Sequence, residues 1–169
     1  MLHEKDVFVA LGANLPDSAG NSPLSTCQNA VFRIGERFGG VSAQSSWYVS
    51  EPVPRSDQPW YVNGVIRIAT DWPPADILLF LHDLERQAGR VRRRRWEARI
   101  LDLDLLAHGS SVMAGPSGPI LPHPRLGERA FVLRPLLEIS TSWRHPENQL
   151  SAKEMLEKLP SGQRLLRLP

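Results

Sequence analysis

Residues 100–107 read ILDLDLLA. Strict alternation marks a strand, because successive side chains on extended backbone leave opposite faces. Here it sends Leu101, Leu103 and Leu105 toward a core and sets Asp102 and Asp104 side by side on the other face. Parallel carboxylates repel, an arrangement best tolerated when a divalent cation or an arginine sits between them. The preceding segment, 90–99, reads RVRRRRWEAR and carries Arg90, Arg92, Arg93, Arg94, Arg95 and Arg99. Guanidinium forks match phosphate oxygens two at a time and keep their charge at any working pH. A candidate cation site therefore stands next to a candidate anion site. Aspartates simply salt-bridged to arginines on a solvated sheet face are the bland alternative, and these residues alone leave both open.

Working outward, a helix opens at Pro73-Pro74, carries Ile77, Leu78, Leu81 and Leu84 on one face, and ends by Gly89. Residues 61–70 (YVNGVIRIAT) form a strand, and 41–51 (VSAQSSWYVSE) form one β-rich run that pairs with it antiparallel. Pro52, Pro54 and Pro59 enforce an irregular connection between the two. Upstream, 6–11 (DVFVAL) is a short buried strand ended by Gly12-Ala13-Asn14. A helix follows, with Ser22 as N-cap, Pro23 in the first turn, apolar Ala30, Val31, Ile34 and Phe38, and a stop at Gly39-Gly40. The order β-α-β-β-α-β predicts an α+β fold of the ferredoxin-like plan, one antiparallel sheet with helices on one face. Beyond it, 108–122 is a surface loop, and C-terminal helices are expected over 128–139, shortened by Pro135, and over 151–159. Residues 161–169 carry no decisive pattern.

With 169 residues, no repeat and no linker, a single domain over 1–169 around one core is expected. The 41% hydrophobic and 22% charged fractions are ordinary for a globular protein, and a net charge of +2 is too small to argue for nucleic acid. Residues 1–15 carry no basic-then-apolar leader and no apolar run is of bilayer length, so a cytoplasmic protein with no membrane partner is expected. The lone Cys27 can form neither an internal disulfide nor a thiolate metal site. Neither a GxxxxGK[ST] loop nor a kinase H-R-D or D-F-G triplet occurs, so a nucleotide site here must be built from arginine, aspartate and metal.

Several stretches, taken in order, carry a resemblance: Gly12-Ala13-Asn14-Leu15; Asp57-Gln58-Pro59 with Tyr61-Val62-Asn63; Glu85 with Gly89-Arg90-Val91-Arg92; Arg95-Trp96; Arg99 with Leu101-Asp102-Leu103-Asp104; Leu121-Pro122-His123-Pro124; and Arg129-Ala130-Phe131. Together they resemble the 6-hydroxymethyl-7,8-dihydropterin pyrophosphokinases, from about residue 7 to residue 140. The resemblance implies a monomer that moves the β,γ-pyrophosphate of ATP to the pterin's hydroxyl and releases AMP. It implies Asp102 and Asp104 as ligands of two Mg²⁺ ions and Arg90 and Arg99 as catalytic arginines. On the nucleotide side it implies Glu85, Arg92, Trp96, Leu105, His123 and Arg129. For the pterin it implies a slot between Tyr61 and Phe131, with Asn63 reading the ring edge and Ser50, Val53 and Asp102 in contact. Trp96 corresponds to a residue on a closing loop, and residues 89–99 have the character of such a lid.

This chain departs from the family pattern at Ser50-Glu51-Pro52, often Thr-Pro-Pro, and at Glu97-Ala98, often Gly-Pro. The lid is also one residue shorter between Arg92 and Trp96. The rival reading is an RNA-binding module on the same βαββαβ plan. Its third strand would need a basic-Gly-aromatic-Gly-aromatic signature, whereas Tyr61-Val62-Asn63-Gly64-Val65-Ile66 lacks paired aromatics on one face. No nucleic-acid partner is expected.

Overall fold

The computed structural model describes residues 6–89, 98–116 and 118–169. Strand β1 (Asp6–Ala13) leads into α1 (Pro23–Phe38), β2 (Ala43–Gln44), β3 (Tyr48–Ser50), β4 (Tyr61–Ala69), α2 (Pro74–Gln87) and β5 (Asp102–His108). A 3₁₀ turn (Leu126–Glu128), α3 (Ala130–Ile139), α4 (Ala152–Glu157) and β6 (Leu165–Arg167) complete the order. The strands run β5-β1-β4-β3-β6, every pair antiparallel, with β2 also on β4. The first four strand positions are those of the expected βαββαβ plan.

Local chemistry starts and stops α1 as the sequence predicts. The Ser22 side chain accepts from the Ser25 N–H, and Gly39, at φ 77°, takes the left-handed turn that ends α1 without a Cβ penalty. Along β1, Val7, Val9, Leu11 and Ala13 join α1 and α2 in one core, while Phe8 and Ala10 join α3 and α4 in another. Hence β1 is buried at every residue and reads as a continuous apolar run rather than an alternating one. The α1/α2 pair covers one face, as expected, and the C-terminal helices close the other, where Trp143 meets Phe8 edge-on at 6.5 Å.

Four details differ from the sequence reading. Strand β1 runs two residues past Leu11, because Gly12 is held between β4 and β5, opposite both Asn63 and Asp102, and Ala13 pairs with Val62 of β4. The single strand expected over 41–51 is interrupted between β2 and β3. From Gln44 to Tyr48 is four steps, but their partners Ile66 and Asn63 are three apart, so one extra residue is accommodated. There the Ser45 hydroxyl accepts from the Val65 N–H at 3.0 Å. Helix α3 starts at Ala130 and runs through Pro135 to Ile139, the ring buried even though proline offers no N–H to the Phe131 carbonyl. Residues 165–167 form a strand on the outer edge of β3. Among the described residues no helix is long and apolar enough to cross a membrane.

Candidate active site

One pocket opens on the α3 face of the sheet, where small residues leave room. Ala10 and Gly12 of β1 lie opposite Asp104 and Asp102 of β5, and all four line it. A Cβ on Gly12 would approach the Asn63 Oδ1 to 3.4 Å, so the missing side chain keeps the floor open between β4 and β5. Ser50, Tyr61 and Asn63 form the next stretch of wall, the loop from Glu51 to Pro54 with Ser56 and Gln58 forms the rim, and Arg129 and Phe131 close the far side.

The charges pair across this floor. Asp102 accepts from the Arg99 guanidinium, and Asp104 lies 3.2 Å from Nη1 of Arg129. Burial works against the charge of Arg99, but Asp102, through charge and hydrogen bond, together with Tyr61 and Asp104 outweighs it. Its pKa is therefore raised further and the group stays cationic. His123 accepts the Arg125 N–H on Nδ1 at 3.1 Å, which assigns its proton to Nε2. That nitrogen stands 3.8 Å from Asp104, too far for a hydrogen bond. Burial pushes the imidazole below its ordinary pKa, against the pull of Asp104, so at neutral pH it presents a neutral N–H donor.

Asn63 is almost wholly buried, donating from Nδ2 to Ser50 Oγ at 2.8 Å and to the Tyr61 carbonyl at 3.3 Å. Both amide hydrogens are thus committed within the protein, which orients Oδ1 over Gly12. With both hydrogens engaged, the role this geometry leaves Asn63 toward a ligand at the ring edge is that of acceptor.

Asn14 is a residue whose part the sequence reading missed. Its Oδ1 accepts from the Arg99 N–H at 2.6 Å, and its Nδ2 donates to the Pro59 carbonyl at 3.0 Å. In return the Arg99 carbonyl accepts from the Asn14 and Leu15 N–H groups. One side chain thereby ties Arg99 to the rim loop. Glu51, where the family pattern often has proline, is held by Arg55 at 3.0 Å and Arg164 at 3.2 Å.

Of the residues singled out in the sequence, Ser50, Val53, Tyr61, Asn63, Arg99, Asp102, Asp104, Arg129 and Phe131 line this single pocket, and His123 borders it through Asp104. Two others lie elsewhere. Glu85 sits beneath the edge strand, where its Oε1 accepts from the Leu103 N–H at 2.8 Å. Leu105 points into the α1/α2 core, so any contact with a ligand falls to its main chain. Arg90, Arg92, Trp96 and the rest of the expected lid up to residue 97 lie outside the described residues.

No cluster of three or more His, Cys, Asp or Glu side chains suited to a metal occurs among the described residues. Two adjacent carboxylates fit Mg²⁺, which takes one or two such ligands and completes its shell with water and phosphate oxygens. They do not make a structural zinc site.

The family described as 7,8-dihydro-6-hydroxymethylpterin-pyrophosphokinase matches residues 8–141. A 2-amino-4-hydroxy-6-hydroxymethyldihydropteridine pyrophosphokinase of Haemophilus influenzae is 37% identical over 144 residues, 85% of this chain and 86% of the relative. One of the same name from Pseudomonas aeruginosa is 37% identical over 143 residues, 85% of each chain. A folic acid synthesis protein of Pneumocystis carinii is 35% identical over 153 residues, 90% of this chain but 20% of that longer protein.

Proposed function

The chain belongs to the 7,8-dihydro-6-hydroxymethylpterin-pyrophosphokinase family, and on that premise we propose that it transfers pyrophosphate from ATP to the hydroxymethyl group of 6-hydroxymethyl-7,8-dihydropterin in folate synthesis, releasing AMP. The observation that carries the reading is that one pocket is lined both by paired carboxylates with guanidinium groups and by Tyr61, Asn63 and Phe131. Transfer between a triphosphate and a flat alcohol-bearing ring needs both within reach of each other.

In this reading the ring lies between Tyr61 and Phe131, whose aromatic faces suit a planar heterocycle. Asn63 Oδ1 accepts from an edge N–H, with its own N–H groups anchored on Ser50 and Tyr61. Asp102 and Asp104 hold two Mg²⁺ ions, which supply charge neutralisation and alignment of the polyphosphate. Arg99 and Arg129, which otherwise balance those carboxylates, are the cations able to turn to phosphate oxygens and to the charge that grows on them during transfer. Neutral His123 offers its Nε2–H on the same side. Positioning and cations suffice, since this chemistry requires no covalent protein intermediate. Arg90 as second catalytic arginine and Arg92 and Trp96 on the nucleotide side belong to the same proposal. So do a monomer of one domain over 1–169 and a cytoplasmic location.

The test is incubation with Mg-ATP and 6-hydroxymethyl-7,8-dihydropterin, scored for AMP and pterin diphosphate. Asp104→Ala is expected to lower turnover by roughly 10²–10³-fold, the scale for losing one charge-stabilising group, with the far-UV spectrum unchanged. A variant that releases AMP at the wild-type rate would remove Asp104 from the metal site. Chelation of divalent cations should stop turnover of the wild type, and restoring Mg²⁺ should bring it back.

A further inference from the structure

The first turn of a helix needs acceptors for its N–H groups, and Arg129, the cap residue of α3, supplies none from its side chain. Gln163 does so from the far end of the chain. Its Oε1 accepts from the Ala130 N–H at 2.8 Å and its Nε2 donates to the Glu128 carbonyl at 2.9 Å. One amide thus grips the main chain on both sides of Arg129, whose guanidinium touches Asp104 and lies 5.6 Å from the centre of the Phe131 ring. The next residue, Arg164, reaches the opposite wall and pairs with Glu51 at 3.2 Å. Leu165 then stands opposite Ser50 in the β3–β6 ladder. Three consecutive residues therefore span the slot's two walls, and all three lie beyond the matched region 8–141.

We propose that Gln163 and Arg164 are positioning residues of the ring slot: Gln163 fixes Arg129 and Phe131, Arg164 fixes the Glu51 loop, and together they set the slot's width. The proposal rests on the reading that this slot takes the pterin. An ion pair whose arginine is largely exposed contributes little to global stability. Its effect belongs in binding, where walls already in place spare the ligand the cost of ordering them.

The experiment is steady-state kinetics on the full chain, varying pterin at saturating ATP and then ATP at saturating pterin. Gln163→Ala is expected to raise the pterin KM about fivefold, the scale of one lost cap, and Arg164→Ala about threefold. The double variant should combine both, with the ATP KM within twofold of wild type. Gln163→Glu, which keeps the acceptor for the Ala130 N–H but sets a second carboxylate oxygen against the Glu128 carbonyl, should recover only part of the loss, as should Arg164→Lys. A purely structural role would lower the melting temperature and leave the ratio of the two KM values unchanged. Should Gln163→Ala fail to fold, Arg164→Ala against Arg164→Lys carries the test. Wild-type turnover combined with an unchanged pterin KM in the variants overturns this inference alone. Absence of AMP release by the wild type overturns the functional reading and this inference with it.

Discussion

Asn14 commits its side-chain amide to main-chain groups of two other segments, and its replacement exposes how much depends on it. Asn14→Ala leaves the part-buried Arg99 N–H and the Pro59 carbonyl without their partner, a cost of about 1–2 kcal/mol in urea denaturation. Turnover should fall as well, because the main chain of Arg99 loses its anchor to the rim. Asn14→Asp keeps the acceptor for Arg99 and should retain more activity than alanine. The pair Asp102 and Asp104 was legible in the sequence because strand alternation alone fixes their shared face. The role of Asn14 was not: after Gly-Ala an asparagine reads as a turn former, and its partners lie 85 and 45 residues away. Glu85 and Leu105 illustrate the opposite limit, since a resemblance assigns a position in the sequence but not the direction in which its side chain packs.

At the scale of elements, the interruption between β2 and β3 is the feature most open to test. Trp47 packs onto Gly64, where an added Cβ would come within 2.7 and 2.8 Å of the indole ring. Gly64→Ala must therefore displace Trp47 or part the strands, an overpacking cost of about 1–3 kcal/mol. Thermal melting should register it, and Trp47→Phe in the same chain should relieve part of it. The β-rich composition of 41–51 foretold strand pairing with 61–70. It could not foretell the break, because that depends on a serine hydroxyl entering the ladder in place of backbone. Helices α1 and α2 were legible from apolar spacing and their proline and glycine punctuation. Strand β6 was not, since three residues, Leu165-Leu166-Arg167, carry too little pattern to reveal pairing with a strand more than a hundred residues earlier.

For the whole molecule, two helical layers on one sheet make stability depend on groups far from the pocket. His145 packs edge-on against Trp143 in the second layer, and burial lowers its pKa against the opposing pull of Glu147. The folded state then binds a proton less readily than the unfolded chain. The resulting stability is fully present above the ordinary histidine value near 6.5 and is lost as pH falls through the lowered folded value. Urea midpoints should fall between pH 7.5 and 5.5, and His145→Asn should flatten that slope; a slope unchanged by the substitution would assign the effect to other groups. Beyond that layer the chain ends in β6, which occupies the flank of the sheet beside Tyr48–Ser50 and brings Arg164, Arg167 and Pro169 with it. A chain stopped at Pro160 would trade that guarded border for bare amide and carbonyl groups, to which a sister molecule could add itself rung by rung. Such shortening would announce itself as turbidity rising with concentration.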